Sequence, residues 1–260
     1  MAVFAGQGDA DRSMRLLWRA PGGGSGPGLS VDAIVDAAVE VADRDGMAAL
    51  SMRAVGERLG RSAMALYTHV PSKAELLDLM CDRVLGELPS DYPVDGGWRA
   101  ALRAWAGDVR ECYLAHPWVL QVSQARPVLG PNEFAMVEAL LRILRSTGLG
   151  LSVLPGVVGA VVQFVRGAAG VIAEARRAAR ETGMTDEEWW FSRAGVFDEV
   201  APDFAERFPL SAWLGAEEPP PVEGDECVPY LERDAVRNFV TGLEVLLDGV
   251  EAAVARARGE

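Results

Sequence analysis

The sequence predicts an all-α fold, with a small N-terminal domain of three helices followed by a larger helical domain. Apolar residues recur at helical spacing in the long segments of the chain, at residues 31–44, 73–84, 98–116, 131–147, 152–181 and 232–258. Serine, threonine and glycine stand at several segment ends, where they are suited to cap helices. The 260 residues are half hydrophobic and 24% charged, which is ordinary for a chain that buries a full core.

Residues 1–29 are expected to form a flexible N-terminal arm. Residues 22–28 read GGGSGPG, a composition typical of a flexible linker. Two interpretations of the preceding residues stay open. They are a disordered leader, with Met14 as an alternative start, or an arm that reaches a nucleic-acid groove or packs on a second copy of the chain. The arm has few basic residues, which makes contact with nucleic acid the less favoured of these roles.

Residues 30–88 are predicted to form a helix-turn-helix domain. Its helices are expected over residues 31–44, 52–59 and 62–69, with a further helix opening at Ser72. Ser51 is suited to cap the second helix, and Gly60 can end it because glycine enters the left-handed region without a Cβ penalty. Two helices joined by a short glycine turn are the arrangement that places a second helix in the DNA major groove.

The charge around this turn favours a polyanionic partner. Residues 51–73 contain four basic side chains and one acidic side chain, or 4 − 1 = +3, whereas the whole chain carries −13. Small side chains in the short helix would let it approach base edges, and the neighbouring donors could hold phosphates. The residues predicted to contact double-stranded DNA are Arg53, Arg61, Ser62, Ala63, Met64, Ala65, Tyr67, Thr68, His69 and Lys73.

These residues resemble the signature of the TetR family of bacterial transcriptional regulators. The resemblance lies in LSMRAVGERLG and ALYTHVPSKAELL, where a lysine follows the valine of LYTHV by three residues. The helix at 31–44, with Gly46 after it, is similar to the family's first helix. The short helix departs from the family in presenting Ala63, Met64 and Ala65. Base readout is therefore expected to depend on Arg53, on apolar contacts with thymine methyl groups and on DNA shape.

Composition and motifs exclude several other classes of protein. The chain has no G-x-S-x-G, P-loop, G-x-G-x-x-G after a strand or H-E-x-x-H motif, so we expect no enzyme, no cofactor and no metal site. Three widely spaced cysteines indicate reduced thiols, and no apolar run is expected to reach the roughly 20 residues of a membrane span. Without the long apolar region of a signal peptide, the protein is expected in the cytoplasm and not in a membrane.

Residues 89–260 are predicted to bind a small-molecule effector and to form a dimer. Residues 89–97 are rich in turn-forming residues and mark the domain boundary. His116, before a proline at a helix end, is interpreted as a cap or loop residue. A mostly apolar pocket is expected between the helices at 98–116, 117–147 and 152–181. Its expected lining is aromatic, with Trp105, Trp118, Phe134, Phe164 and Trp190.

The helix at 152–181 is the first candidate for the dimer interface. Gly156, Gly159, Gly167 and Gly170 fall on one helical face, with Gln163 beside them. Glycine inside a helix costs about 1 kcal/mol relative to alanine, so such a face makes sense where a second helix approaches closely. Tight packing within one chain is the alternative. The pattern QFVRGA also resembles the corresponding helix of the family.

The last helix is the second candidate for the interface. Phe239, Leu243 and Leu246 belong to its apolar stripe. The pattern F-x-x-GLE-x-L-x-x-G-x-E resembles the end of the tetracycline-repressor subfamily. Two helices from each protomer are therefore expected to form a four-helix interface.

Despite that resemblance, the effector is not expected to be a magnesium–tetracycline complex. In the tetracycline-responsive relatives a histidine before the ARP-like turn ligates the metal. The matching segment here, residues 121–127, reads QVSQARP and contains no histidine. Its neutral amides and hydroxyl are poor ligands for Mg²⁺.

Together these features predict a homodimeric, ligand-responsive repressor that a bulky apolar molecule releases from a pseudo-palindromic operator. The alternative is a helical small-molecule-binding module without operator recognition.

Overall fold

The computed structural model describes residues 3–19, 28–123, 125–216 and 228–259. Over these residues the chain is helical apart from one short two-stranded ladder, which confirms the all-α prediction. The elements are β1 (Val3–Phe4), α1 (Ala10–Leu17), α2 (Val31–Asp45), α3 (Met52–Leu59), α4 (Ala63–Tyr67), α5 (Lys73–Leu85), α6 (Trp98–Ala115), a 3-10 helix (Pro117–Gln121), β2 (Val122–Ser123), α7 (Pro131–Arg145), α8 (Leu154–Thr182), α9 (Asp186–Val200), α10 (Phe204–Arg207), α11 (Pro209–Ala216) and α12 (Tyr230–Arg258).

Packing divides the chain into two units. The first comprises Met1–Gly170 with Leu243–Glu260, and the second comprises Val171–Gly242. The expected boundary near residue 88 is not a boundary in packing, because α5 contacts α7 as well as α2. The helix-turn-helix domain at 30–88 is therefore a functional division within one packed unit.

Helices α2 to α5 follow the local signals of the sequence. The hydroxyls of Ser30 and Ser51 accept the Ala33 and Ala54 N–H groups and so cap α2 and α3. Gly60 ends α3 in the left-handed conformation, at φ +64°. The core between these helices is fully apolar, formed by Ile34, Val55, Leu66, Leu76 and Met80.

The turn between α3 and α4 is held by a glycine that the sequence analysis did not single out. The Arg61 N–H donates to the Gly56 carbonyl at 2.8 Å. A Cβ on Gly56 would lie 2.6 Å from the Arg61 carbonyl oxygen and 3.3 Å from the Ala63 nitrogen. Only a residue without a side chain lets the backbone entering α4 approach α3 this closely.

The described part of the N-terminal arm is ordered, which corrects the expectation of a flexible arm over residues 1–29. Val3 and Phe4 pair in parallel with Val122 and Ser123, and α1 contacts α5. Asp9 caps α1 by accepting the Arg12 N–H. Polar contacts supply much of the docking. The segment therefore has no long apolar repeat from which its docking could have been predicted. The linker GGGSGPG lies outside the described residues except for Gly28.

Helix α6 and the C-terminal half of α12 are joined by an ion-pair cluster. The Arg99 guanidinium donates to Asp248 at 2.6 Å and to Glu251 at 2.7 Å. Arg103 donates to Glu244 at 2.5 Å, and these arginines lower the pKa of Glu244 to about 2. The cluster sets the register of α12 on α6 from the solvent side.

The apolar stripe of α12 is buried within the single chain. Phe239 is 3% exposed and Leu243 is 5% exposed, so both pack in the interior of their own protomer. Their assignment to the dimer interface stays a prediction, because a stripe at helical spacing does not show which surface covers it. Leu246 is half-buried, and its place in an interface stays a prediction.

Helix α8 keeps much of its apolar surface exposed. Among the described residues it is the one helix long and apolar enough, by length and composition, to cross a membrane, and 28% of that stretch is buried. This differs from the expectation that no apolar run comes near such a length. A Cβ on Gly156, Gly159, Gly167 or Gly170 would meet nothing within 4 Å. The glycine face is therefore open in the single chain, and packing within the chain does not explain it.

The second unit contains the aromatic run after Thr185. The predicted capping box of α9 is present, with reciprocal bonds between Thr185 and Glu188. Trp189 and Trp190 stack on each other, with ring centroids 5.6 Å apart. The two further short helices, α10 and α11, were not predicted.

Substitution of Gly56 by alanine is expected to lower the free energy of unfolding by about 1–3 kcal/mol, because the backbone at Arg61 must move to admit the methyl group. In α6, a Cβ on Gly107 would meet nothing within 4 Å. Gly107→Ala is therefore expected to raise the free energy of unfolding by up to about 1 kcal/mol. Urea denaturation measures both, and a neutral Gly56→Ala would contradict the close approach described here.

Candidate nucleic-acid interface and neighbouring cavity

Helix α4 presents an exposed outer face. Met64 is 73% exposed, and Arg61, Ser62, Tyr67 and Thr68 are also exposed, whereas Leu66 on the inner face is fully buried. Ala63, Ala65 and His69 are partly exposed beside them. Eight of the ten residues predicted for DNA contact thus lie together on one short helix and its ends, whereas Arg53 lies in α3 and Lys73 begins α5.

Several polar groups on this surface already have partners within the chain. Arg53 donates to Glu57 at 2.8 Å and stays exposed. The Ser62 hydroxyl accepts the Ala65 N–H at 3.3 Å, and the Thr68 hydroxyl donates to the Ala65 carbonyl at 2.7 Å. These bonds hold α4 in shape, so Ser62 and Thr68 contribute to its geometry as well as to its surface.

Lys73 has a structural role that the sequence analysis missed. Its Nζ donates to the Leu50 carbonyl at 2.7 Å, which ties the start of α5 to the loop before α3. An ammonium group has three donors, so two remain for a phosphate. The lysine therefore orients the α3–α4 pair in addition to offering positive charge.

A second cluster joins this domain to the residues after α6. His116 is buried, and its Nδ1 lies 2.9 Å from an Asp43 carboxylate oxygen at the end of α2. Its Nε2 lies 3.1 Å from Glu87, and the Trp118 indole donates to Asp43 at 2.7 Å. Burial alone would lower the pKa of His116, but the bonds to Asp43 and Glu87 outweigh it and raise that pKa.

A small cavity lies on the other side of α5. It is lined by residues of the N-terminal segment, α5, α6, β2 and the loop before α7, among them Ala5, Cys81, Tyr113, Val122, Arg126 and Glu133. Its free volume is about 30 Å³. That space holds two or three water molecules at most.

Arg166 of α8 fastens the segment that borders this cavity. One guanidinium nitrogen, Nη2, donates to the carbonyls of Val119, Leu120 and Val122, at 3.1, 3.1 and 2.6 Å. The guanidinium also lies over the Tyr113 ring, 5.7 Å from its centroid. Helix α8 is thereby linked to the 3-10 helix and β2.

Comparison with known families agrees with this geometry. Residues 34–80 match the family described as bacterial regulatory proteins, tetR family, and residues 89–254 match the tetracyclin repressor-like C-terminal domain. The chain belongs to the TetR family. It is thus a DNA-binding transcriptional regulator by family, and its C-terminal domain is of the tetracycline-repressor type.

Three relatives of this TetR-family chain are informative. The HTH-type transcriptional repressor DrrR1 of Streptomyces coeruleorubidus is 40% identical over 98% of this chain and 91% of its own. The class A tetracycline repressor from transposon 1721 in Escherichia coli is 29% identical over 68% of this chain and 85% of its own. The structure of ActR from Streptomyces coelicolor in complex with actinorhodin superposes with a TM-score of 0.67 and 29% identity, covering 89% of this chain and all of ActR.

The predicted aromatic pocket is not assembled as expected. Trp105 and Trp118 are each 1% exposed, with their indole N–H groups bonded to the Met136 carbonyl and to Asp43. Both side chains lie in the interior, and their place in the lining of a pocket stays a prediction. Phe134 is exposed and packs against Trp18 at 6.1 Å, and Trp190 is exposed in the second unit. Phe164 is half-buried, and its place in a pocket stays a prediction.

Three residues of the site escaped the sequence analysis: Gly56, Asp43 and Arg166. A glycine inside an otherwise good helix pattern was a usable signal for Gly56. For His116 the interpretation as a cap is confirmed, since it follows α6 as its C-cap, but its two carboxylate partners lie 29 and 73 residues away. No local pattern could reveal those partners.

The raised pKa of His116 predicts a pH-dependent stability. Its stabilising contribution should be fully present below the unfolded pKa, about 6.5, and be lost as pH rises through the folded pKa. The difference in free energy of unfolding between the native protein and His116→Gln is therefore expected to be larger at pH 6 than at pH 9. Urea denaturation across this range measures it, with His69→Gln as control. A difference that does not change with pH would contradict the ion pairs.

Proposed function

We propose that this protein is a homodimeric repressor that binds a pseudo-palindromic operator through α4 and is released from it by a bulky, largely apolar effector. The observation that carries the proposal is the uncovered outer face of α4, which lies within the +3 segment of a chain of net charge −13. Its resemblance to the repressor DrrR1 over nearly the whole chain supports repression. We expect it to act in the cytoplasm, and no catalytic role is proposed.

Binding to DNA would combine charge with shape. Arg53, Arg61 and Lys73 could neutralise phosphates or reach base edges, and the acidic remainder of the chain would keep other faces away from DNA. Met64, the most exposed residue of α4, suits apolar contact with thymine methyl groups. Arg53 must break its bond with Glu57 before it contacts a base, which reduces the free energy that Arg53 contributes to DNA binding.

The dimer seam is proposed along the glycine face of α8, at Gly159, Gln163, Gly167 and Gly170. Nothing in the chain lies within 4 Å of a Cβ on any of these glycines. An open apolar helix face of this kind is typical of an obligate homodimer interface. A partner protomer at this seam would cover the exposed apolar surface of α8, so no membrane is needed to explain why so little of the helix is buried in the single chain.

The effector is proposed to enter near the cavity between α5, α6, β2 and α7. Arg166 offers a specific donor there, because its Nη1 is buried and has no hydrogen-bond partner among the described residues. The ActR structure binds actinorhodin, which supports a polycyclic effector. The segment at 121–127 lacks the histidine that a magnesium–tetracycline complex would need; Gln124 of this segment lies outside the described residues.

Operator recognition is tested with DNA from upstream of the gene, by fluorescence anisotropy at several salt concentrations. Affinity should fall steeply with salt, and Tyr67→Phe should weaken all sequences about equally. Arg53→Ala should relax discrimination at one base step by about 1–3 kcal/mol. Arg142 forms a similar pair with Glu138 in α7, and Arg142→Ala is the matched control. Absence of specific binding by the native protein would favour the alternative, a ligand-binding module without operator recognition.

The seam is tested by Gly167→Leu, with Gly107→Leu as its control in α6. Neither position has a neighbour within 4 Å of a Cβ, so both chains should fold. In a close helix contact the leucine should cost at least about 1–3 kcal/mol per protomer, and sedimentation should show a monomer only for Gly167→Leu. A dimeric Gly167→Leu that still binds DNA would refute the seam.

The effector class is tested with actinorhodin and with tetracycline, each with Mg²⁺ and with EDTA. Actinorhodin is expected to quench tryptophan fluorescence and to dissociate the protein–DNA complex under both conditions, because no metal ligand is required. Release by tetracycline only when Mg²⁺ is present would show that the proposed effector class is wrong.

A further inference from the structure

Helix α5 carries three buried carboxylates on one side, Glu75, Asp78 and Asp82. Asp82 accepts the Asn132 and Glu133 N–H groups, both at 2.9 Å, and so caps the start of α7. Asp78 is bonded instead by residues 3–18, which we name the strap, and Glu75 is bonded both by the strap and by the Ser72 hydroxyl. The strap therefore supplies partners that two buried charges on α5 require.

The strap contacts α5 and the β2–α7 region at the same time. The Gly6 N–H donates to Asp78 at 2.7 Å, and the Asp9 N–H donates to Glu75 at 3.1 Å. At one end, β1 pairs with β2. At the other, the Trp18 indole donates to the Leu129 carbonyl at 2.9 Å. Leu129 has φ +61°, so this contact helps hold a residue in the left-handed region that disfavours side chains.

The strap also forms part of the wall of the small cavity described above. Ala5 is buried and lines that cavity together with Cys81 of α5 and Val122 of β2, the strand to which β1 is paired. The free volume of about 30 Å³ is roughly tenfold below the 300–1,000 Å³ typical of small-molecule sites. A ligand of effector size does not fit in this space, so the cavity walls must move before such a ligand can bind.

Docking of the strap is held mainly by polar bonds. Ala5 and Leu17 are its buried apolar residues, while Gly6, Asp9 and Ser13 supply hydrogen bonds to α5. On opening, water replaces these bonds, and both carboxylates become hydrated again. A segment with few buried apolar contacts opens at a much smaller cost than the whole domain.

We propose that the strap is a lid that must open for the effector to enter, and that its opening releases α5 and thereby weakens DNA binding. The proposal rests on the proposed function for the identity of the ligand and of the DNA. Closure itself can be tested without either of them. The reporter is Cys81, a buried thiol under the strap, whose pKa burial raises to about 12.

The decisive experiment measures alkylation of Cys81 by iodoacetamide in a chain that carries Cys112→Ser and Cys227→Ser. A Cβ on Gly8 would lie 2.7 Å from the Glu75 Cδ, so Gly8→Leu should undock the strap. The matched control is Gly28→Leu, since a Cβ there meets nothing within 4 Å. We expect the labelling rate of Gly8→Leu to exceed that of the parent by at least about tenfold, and that of Gly28→Leu to be unchanged.

A second variant guards against misfolding of Gly8→Leu, which circular dichroism would reveal. Gly6 has φ +67° and open space around it, so Gly6→Val disfavours the docked backbone without a clash. Faster labelling in this variant supports the lid, whereas parent-like labelling in both folded variants overturns it.

Anisotropy with operator DNA then tests the coupling. Gly8→Leu is expected to bind at least about threefold more weakly than Gly28→Leu without any effector. If Gly8→Leu is labelled fast but binds DNA as tightly as Gly28→Leu, the strap opens without any effect on DNA binding. That result would overturn the proposed coupling. If the parent binds no DNA, the proposed function fails, while the labelling result still decides closure.

Discussion

The hydrogen bonding of the buried carboxylates on α5 constrains much of the first unit. A buried carboxylate without hydrogen-bond partners costs several kcal/mol. Glu75, Asp78 and Asp82 therefore hold in place the segments that donate hydrogen bonds to them, the strap and the start of α7. Asp82 determines where α7 begins, and burial raises its pKa because its environment is dry. Since α5 also packs on α2, one helix connects the DNA-binding surface with the helices around the cavity.

The charges of the protein are organised around this helix. The chain is strongly acidic, yet many described arginines are paired with carboxylates, such as Arg58 with Glu40 at 2.5 Å and Arg83 with Asp36 at 2.7 Å. Exposed pairs of this kind contribute little to stability. Their effect is to leave Arg61, at the start of α4, without an ion-pair partner among the described residues. His116 is held between Asp43 and Glu87 at the junction behind the helix-turn-helix.

Predictions from local sequence were accurate for the helix-turn-helix and for the long helices of the larger domain, but they did not show which side chains the chain itself covers. Ser51 and Gly60 act through their nearest neighbours, so their effects could be predicted without knowledge of the fold. The predicted bounds of α3 agree with the structure, and those of α2 differ by one residue. In contrast, the aromatic and apolar residues assigned to the pocket and the seam were chosen by type and periodicity. Trp105 and Leu243 have the right character for those roles but are covered by their own chain.

By itself, the sequence determined the all-α class, the helix-turn-helix and the family, because caps, turns and apolar spacing act over a few residues. The tertiary structure alone decided which apolar faces are buried and which are open. It buried the apolar stripe of α12 and left the glycine face of α8 uncovered. It also decided that the N-terminal segment docks, through bonds between Gly6 and Asp78 that span 72 residues. Burial and pairing of this kind depend on which distant segments come into contact. The spacing of residues along the chain does not show which segments these are.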